Sequence, residues 1–313
     1  MMEHHPTARP AWPALSLLAP LTVMWIGAPA AIACACVYGL PVHAVVGLYV
    51  MINVTGFGVT MGFHRLFTHR SFETSRTIER ALMIFGCMSG QSSPCFWIAE
   101  HRRHHRHSDR PGDPHSPHAS GTHGWWRRFW HAHQGWTLCW ASYDPTAVRD
   151  IMKRPDLAWI DRYWYAWYLL GLAIPAGVGY LIGGTAYDAL IGLLWGGVLR
   201  HALNQHTTYL INSVGHLWGS RPYDTGEHSR NNLLLGLLAL GEGWHNNHHA
   251  HPYSARHGFY WWQSDLTWTV LWLMERVGLV WNVKRPKLDP PTPKTAPEVS
   301  VTDAAAVGAT GGS

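Results

Sequence analysis

Charge is what this chain has least of. Asp, Glu, Lys and Arg make up 14% of its 313 residues, against roughly a quarter in an ordinary soluble domain, and between Pro10 and His64 there is none of the four. A stretch of 55 uncharged residues excludes a water-facing surface over that length. It suffices for two bilayer crossings, each of which needs about 20 apolar residues. Cysteine is scarce too: Cys34, Cys36, Cys87, Cys95 and Cys139 are an odd count without zinc-type spacing, so neither a disulfide framework nor a structural zinc site is expected. No internal repeat is visible. The mean hydropathy of -0.09 averages greasy runs with a polar portion, because histidine reaches 23 copies and tryptophan 19.

Local runs set the expected topology. The first hairpin occupies residues 10–64 and turns at GLPVH (Gly39 to His43), where Gly and Pro punctuate the run. A second apolar stretch from Tyr163 to Leu199 carries only Asp188 and turns at GGTAYD, giving a hairpin over residues 163–205. The run LLLGLLALG (Leu233 to Gly241) is too short to span and reads as buried or half-inserted. All 24 basic residues lie outside the apolar runs: Arg9, fourteen from Arg65 to Arg162, and nine from Arg200 to Lys294. Positive residues mark cytoplasmic flanks, so the N-terminus 1–9, a cap segment 65–162, a second cap segment 206–283 and the tail 284–313 are expected in the cytoplasm. That tail is rich in Pro, Ala, Gly and Thr and is expected to be disordered. The first apolar run is expected to be retained rather than cleaved.

The histidines have an internal order. In HRRHHRH, His101, His104 and His105 stand at i, i+3 and i+4, on one side of a helix. HNNHH repeats that spacing with His245, His248 and His249. HRLFTH adds His64 and His69 where the second apolar helix ends, and NSVGH adds Asn212 and His216 beyond the fourth. Taken singly, these groups could be a solvated basic face, a polar loop and histidines at a membrane interface. Taken together, they follow membrane helices that bring them to one side of the bilayer. Nine imidazoles exceed what one zinc needs, so two metal ions are expected. Imidazole alone leaves Zn, Cu, Fe and Ni open; iron is expected because an apolar setting implies a hydrocarbon substrate, and attack on an unactivated methylene needs a metal with dioxygen.

The motifs GFHRLFTHRSF, EHRRHHRHSD with DPHSPH, and NSVGHLWGSRPYD followed by SRNN and GEGWHNNHHAHP resemble the three histidine boxes and connecting motif of membrane acyl-CoA desaturases of the stearoyl-CoA (delta-9) type, over about residues 55 to 265. The resemblance implies an all-α integral membrane protein with four transmembrane helices in two hairpins and a cytosolic helical cap holding a dimetal site. It implies that His64, His69, His101, His104, His105, His216, His245, His248 and His249 hold two Fe ions, with Asn212 reaching one through water. It also implies an acyl chain in a bent tunnel beside Gln91, Trp97, Thr208 and Tyr209, and insertion of a cis double bond with consumption of O2. The acyl carrier is left open among CoA, acyl carrier protein and membrane lipid. Ala99 stands where animal enzymes carry an arginine that contacts CoA, Tyr209 replaces a tryptophan, and the segment Ser116 to Trp136 is longer than its animal counterpart.

No HPGG-type haem motif is present, so a separate electron donor is expected, ferredoxin or of cytochrome b5 type. Arg102, Arg103 and Arg106 are expected to point away from the imidazoles, and Glu100 and Asp109 to orient them. His107, His115, His118, His123, His131 and His133 are expected near the site without ligating it. A membrane di-iron hydroxylase or acetylenase would use the same boxes on another aliphatic substrate. A metal transporter or sensor would need polar ligands near mid-membrane, which the apolar runs lack. The net charge of +5 is modest and follows from topology, so no nucleic-acid partner is expected.

Overall fold

The computed structural model describes residues 20–118, 124–138 and 143–287. The expected N-terminal segment 1–9, His123, Cys139 and the tail from residue 288 lie outside the described residues.

The described residues are mostly helical. Helix α1 (Pro20–Tyr38) and helix α2 (Val42–Thr68) form the first hairpin. Gly39, at φ 90°, ends α1, and Pro41 fixes the start of α2. After a short β1 (Glu73–Thr74), helix α3 (Arg76–Met88) is capped by the Ser75 hydroxyl, and helix α4 (Pro94–His107) by the Ser93 hydroxyl with Pro94 in its first turn. Helix α5 (Trp125–Trp130) continues as a π-helical turn, and helix α6 (Pro155–Arg162) leads to helix α7 (Trp164–Gly183). Gly184, at φ 79°, and a capping box between Thr185 and Asp188 make the second hairpin turn where the sequence places it. The chain then runs as continuous helix through α8 (Ala186–Gly192), a π-helical stretch (Leu193–Leu199) and α9 (Arg200–Leu217). Short helices α10 (Leu233–Leu238) and α11 (His245–Ala250) precede α12 (Leu266–Arg276). Strand β2 (Val280–Trp281) then pairs antiparallel with β1.

Three helices, α1, α2 and α7, are long and apolar enough to cross a membrane. They turn large apolar side chains outward, among them Ile26, Ile32, Val45, Val46, Ile174, Val178 and Leu181, as lipid-facing surfaces do. The expected fourth crossing, within the hairpin 163–205, is the run from α8 into the first residues of α9. It is helical, but Asp188 and Arg200 dilute its apolar character. The Leu233 run forms the short α10, with Leu233, Leu234, Leu237 and Leu238 exposed and Leu235 buried.

Two features lock the apolar helices to the polar half. The inner half of α2 meets α3 backbone to backbone: a Cβ at Gly58 would lie 2.1 Å from the Gly86 nitrogen, and one at Gly86 would lie 2.4 Å from the Phe63 ring. Only glycine allows that approach. Arg200 is fully buried and donates to the carbonyls of Met88 (2.7 Å), Gly171 (3.1 Å) and Gly196 (3.3 Å). Its charge sits against the C-terminal end of α3, where a helix dipole favours a cation, and it ties α9 to α3 and α7. The main core gathers Phe63, Phe67, Met83, Ile98, Leu157, Ile160 and Leu271 beneath the histidine-bearing segments.

Candidate metal centre

His64 and His69 are five residues apart, which on an ordinary helix would point them about 140° apart. The chain instead winds as a π-helix over Gly58–Thr68, and the His69 amide donates to the His64 carbonyl at 3.1 Å. That wider turn brings the two rings to 4.8 Å. On α4, His101 and His105 lie one turn apart while His104 is displaced to the flank; on α11, His245 and His249 pair in the same way and His248 is displaced. The two asparagines inside HNNHH are buried anchors. Asn246 accepts from the Tyr223 amide (2.9 Å), and Asn247 donates to the His257 carbonyl (2.9 Å) and Gln263 (3.0 Å), so α11 is fixed to the loops around it.

All nine histidines converge. His64, His69, His101, His105 and His248 form one group and His104, His216, His245 and His249 a second, the ligating atoms of each lying within 4.8 Å of one another. The two helices α4 and α11 each serve both groups. Nε2 atoms face one another at 2.9 Å (His105 and His248), 3.0 Å (His216 and His245), 3.1 Å (His64 and His248) and 3.3 Å (His104 and His249). On the opposite ring edge, Nδ1 of His64 lies 2.6 Å from Glu242, Nδ1 of His104 3.0 Å from Asp113, and Nδ1 of His216 3.0 Å from Asp109. An Nδ1 proton donated to a carboxylate leaves Nε2 with its lone pair directed inward, the tautomer a metal ligand needs. His69 Nε2 is buried with no hydrogen-bond partner among the described residues. Inward lone pairs backed by carboxylates fit two cations shared among imidazoles.

The electrostatics agree. Burial, then the neighbouring imidazoles, hold His69, His101, His105, His245, His248 and His249 well below the ordinary imidazole range, so they are neutral near pH 7. Burial acts against the charge on Asp109 and Asp113 too, but His216 and His104 outweigh it and both carboxyls sit below the usual range. For His216 burial is likewise outweighed, by Asp109 and Glu227, and its pKa is raised.

A cavity of about 320 Å³ runs from this cage between α2, α9 and α10. His64, His101, His104, His245, Asn212, Gln91, Trp97 and Thr208 line it, with Ile52, Val59, Ile211, Leu237 and Leu240. Trp97 stacks on His101 at 4.9 Å and donates its indole N–H to Gln91 (3.1 Å), which donates to Thr208 (2.7 Å). Tyr209 is not among the lining residues; it packs with Met24, Ala28 and Ala202 and against His133. Arg102 grips Asp150 through two bonds of 2.9 Å, and Arg103 reaches Glu100 (3.4 Å), both away from the cage. Glu100 thus pairs with arginine, whereas Asp109 meets His216. His115 packs with its ring centre 4.4 Å from that of His104 and lies outside both groups.

Sequence reasoning missed Asp113, Glu227, Glu242 and His257. Glu242 joins His64 to the fully buried Arg65 (3.0 Å) and to His257 (3.3 Å), and Arg65 also pairs with Asp265 (3.0 Å). The available signal was an acid beside two of the three boxes: Asp109 and Asp113 after the second, Glu242 three residues before the third.

The profile of the fatty acid desaturase family matches residues 40–285. The chain is 41% identical over 261 residues to a hex-5-enoyl-(acyl-carrier protein) acetylenase of Moorena producens (strain JHB), covering 81% of each chain. It is 38% identical over 233 residues to an sn-1 stearoyl-lipid 9-desaturase of Anabaena variabilis, covering 73% of this chain and 79% of that one. Over 247 residues it is 36% identical to an acyl-CoA C20 Delta5-desaturase of Anemone leveillei, covering 76% of this chain and 72% of that one. Its caged histidines, apolar helices and these relatives define a histidine-rich membrane oxidoreductase, and the chain belongs to the fatty acid desaturase family.

Proposed function

We propose that the protein inserts a cis double bond into a saturated fatty acyl chain, with two irons held by His64, His69, His101, His104, His105, His216, His245, His248 and His249 and with Asn212 reaching one of them through water. The observation that carries this reading is the opening of the apolar cavity onto the inward Nε2 atoms, with the Trp97–Gln91–Thr208 chain set in its wall. A bound di-iron pair supplies the dioxygen chemistry that removes hydrogens from unactivated methylenes, which no side chain can do. The protein's share is placement. The cavity lays adjacent methylenes beside the cage and keeps bulk water out. Asp109, Asp113 and Glu242 keep the Nδ1 protons in place and the rings aligned.

The substrate is an acyl thioester or an acyl lipid, delta-9 selectivity being the first expectation, and two further electrons come from a separate ferredoxin or cytochrome b5-type donor. The run from α8 into the first residues of α9, ending at residue 205, makes the fourth crossing, and the histidine cage and both termini lie on the cytoplasmic side, as the placement of basic residues supports. The similarity to an acetylenase favours one second reading, in which an existing double bond near the chain end is taken to an alkyne. Fatty-acid profiling of a host expressing wild type beside His104→Ala decides between them. A new alkene present only with the wild type is expected; an alkyne or alcohol without an alkene sinks the desaturase reading.

A further inference from the structure

One route links the cage to the outside on the side away from the cavity. His216 does not line the cavity. Its Nδ1 proton goes to Asp109 Oδ2 (3.0 Å), and the same oxygen accepts the backbone N–H of His228 (2.7 Å). His228 is exposed, and its ring stacks at 4.1 Å on His118, whose Nε2 lies 3.1 Å from the His216 carbonyl. Two hydrogen bonds therefore separate a caged imidazole from a surface residue. Asp109 holds φ at 58° to make this double contact, a left-handed conformation that Asp tolerates better than most side chains.

The surround is basic. Arg110 is exposed and its guanidinium lies beside Gly226; Arg128 bonds His118 (2.6 Å); Arg221 holds the Glu227 carbonyl (2.5 Å); Arg230 holds the Gly219 carbonyl (3.1 Å). The exposed acid here is Asp224, opposite Arg221 at 3.8 Å, while Glu227 is buried. A surface of this sign fits an acidic partner and speeds its encounter.

We propose that an acidic one-electron carrier protein docks over His228 with Arg110, Arg221 and Arg230 around it, and passes electrons through Asp109 and His216 to the caged metals. This rests on the proposed di-iron reading. Each of two reduced carriers is oxidised by one electron. Those two electrons, two protons from water, and the two electrons and two protons leaving the acyl chain together reduce O2 to two waters.

The test uses the full chain in lipid nanodiscs with an acidic 2Fe–2S ferredoxin as probe. Ferredoxin binding is measured against ionic strength, and anaerobic oxidation of reduced ferredoxin by the iron-loaded protein is followed by stopped flow. His228→Glu and Arg110→Glu are expected to weaken binding at low salt at least tenfold and to slow ferredoxin oxidation in step, with the difference fading at high salt. Arg110→Lys restores both, and Arg76→Glu, at the start of α3, leaves them at the wild-type level. Dithionite, which needs no docking, restores metal reduction in the variants. Ferredoxin that binds and reacts with both glutamate variants as with wild type overturns the proposal. So does a rise in KM for an acyl-CoA without any change toward ferredoxin, which would make the patch a coenzyme A site. Failure of dithionite to support turnover by wild type removes the di-iron reading instead, and the binding arm still decides the docking surface.

Discussion

Replacing Glu242 by Gln removes one negative charge and almost no volume. The wild-type carboxylate lies 2.6 Å from His64 Nδ1, 3.0 Å from Arg65 Nη2 and 3.3 Å from His257 Nδ1. Loss of the carboxylate behind a metal-binding histidine typically lowers metal affinity about 10- to 100-fold, which is about 1.4 to 2.7 kcal/mol. Arg65 keeps Asp265 (3.0 Å) and the Ala255 carbonyl (2.7 Å), so its buried charge is not stranded and the fold should survive. The assay is iron per polypeptide after titration with a chelator, and the midpoint is expected to fall by that same factor of about 10 to 100. Asp265→Asn is the matched control. Asp265 pairs with Arg65 and accepts the amides of His257 (2.8 Å) and Trp268 (2.9 Å) but touches no residue of the nine. It should lower the unfolding temperature and leave the chelator midpoint unchanged. Wild-type iron retention by Glu242→Gln, or equal iron loss by Asp265→Asn, would refute the idea that Glu242 acts through His64.

Three further outcomes are expected. The six caged histidines with depressed pKa stay neutral when folded but take up protons near pH 6.5 when unfolded. Unfolding therefore binds protons, and the stability of the metal-free protein falls as pH drops below about 6.5. The fall continues toward the region where His115, pushed down to about 3 by burial, also protonates. His216, raised, contributes with the opposite sign; an unfolding temperature that is flat from pH 7.5 to 5 would contradict the balance. Gln91→Ala strips the partners from Trp97 Nε1 and Thr208 Oγ1, at a cost of about 1 to 3 kcal/mol. It should cut product formation while iron content stays at the wild-type level; unchanged product profiles would remove Gln91 from the cavity's positioning role. Gly58→Ala places a methyl 2.1 Å from the Gly86 nitrogen and should destabilise by about 3 kcal/mol or more, seen as a lowered unfolding temperature in detergent; wild-type stability would mean that α2 and α3 do not meet there.

What could be read in advance follows from how each feature is encoded. The hairpin turns at Gly39 and Gly184 and the nine histidines are written in local spacing and composition, and the structure brings all nine together. Apart from Asp113, nine positions from His104, the histidine-backing acids are not local. Glu242 meets His64 across 178 positions of chain, and Glu227 approaches His216 and His249 only because the loop after α9 folds back. Asp109 was legible because it follows the second box directly. Glu100, equally close in sequence, faces Arg103 because its position on α4 turns it off the histidine side. Arg200 interrupts the apolar character of the run expected to form a fourth crossing, yet three backbone carbonyls satisfy it inside the bundle. No hydropathy window sees such a partnership.

The widened coil at Gly58–Thr68 makes the cage sensitive to length as well as to chemistry. With five residues closing the ring from His64 to His69, removing any one residue between them would let the segment relax to ordinary pitch. His69 would then be a near neighbour of His64 on the axis, yet every side chain upstream would be rotated about 100° against the helices it packs on. One end of α2 is fixed by lipid-facing apolar residues and the other by imidazoles, so a deletion cannot satisfy both. The stretch is thus constrained in its residue count as well as in its buried side chains.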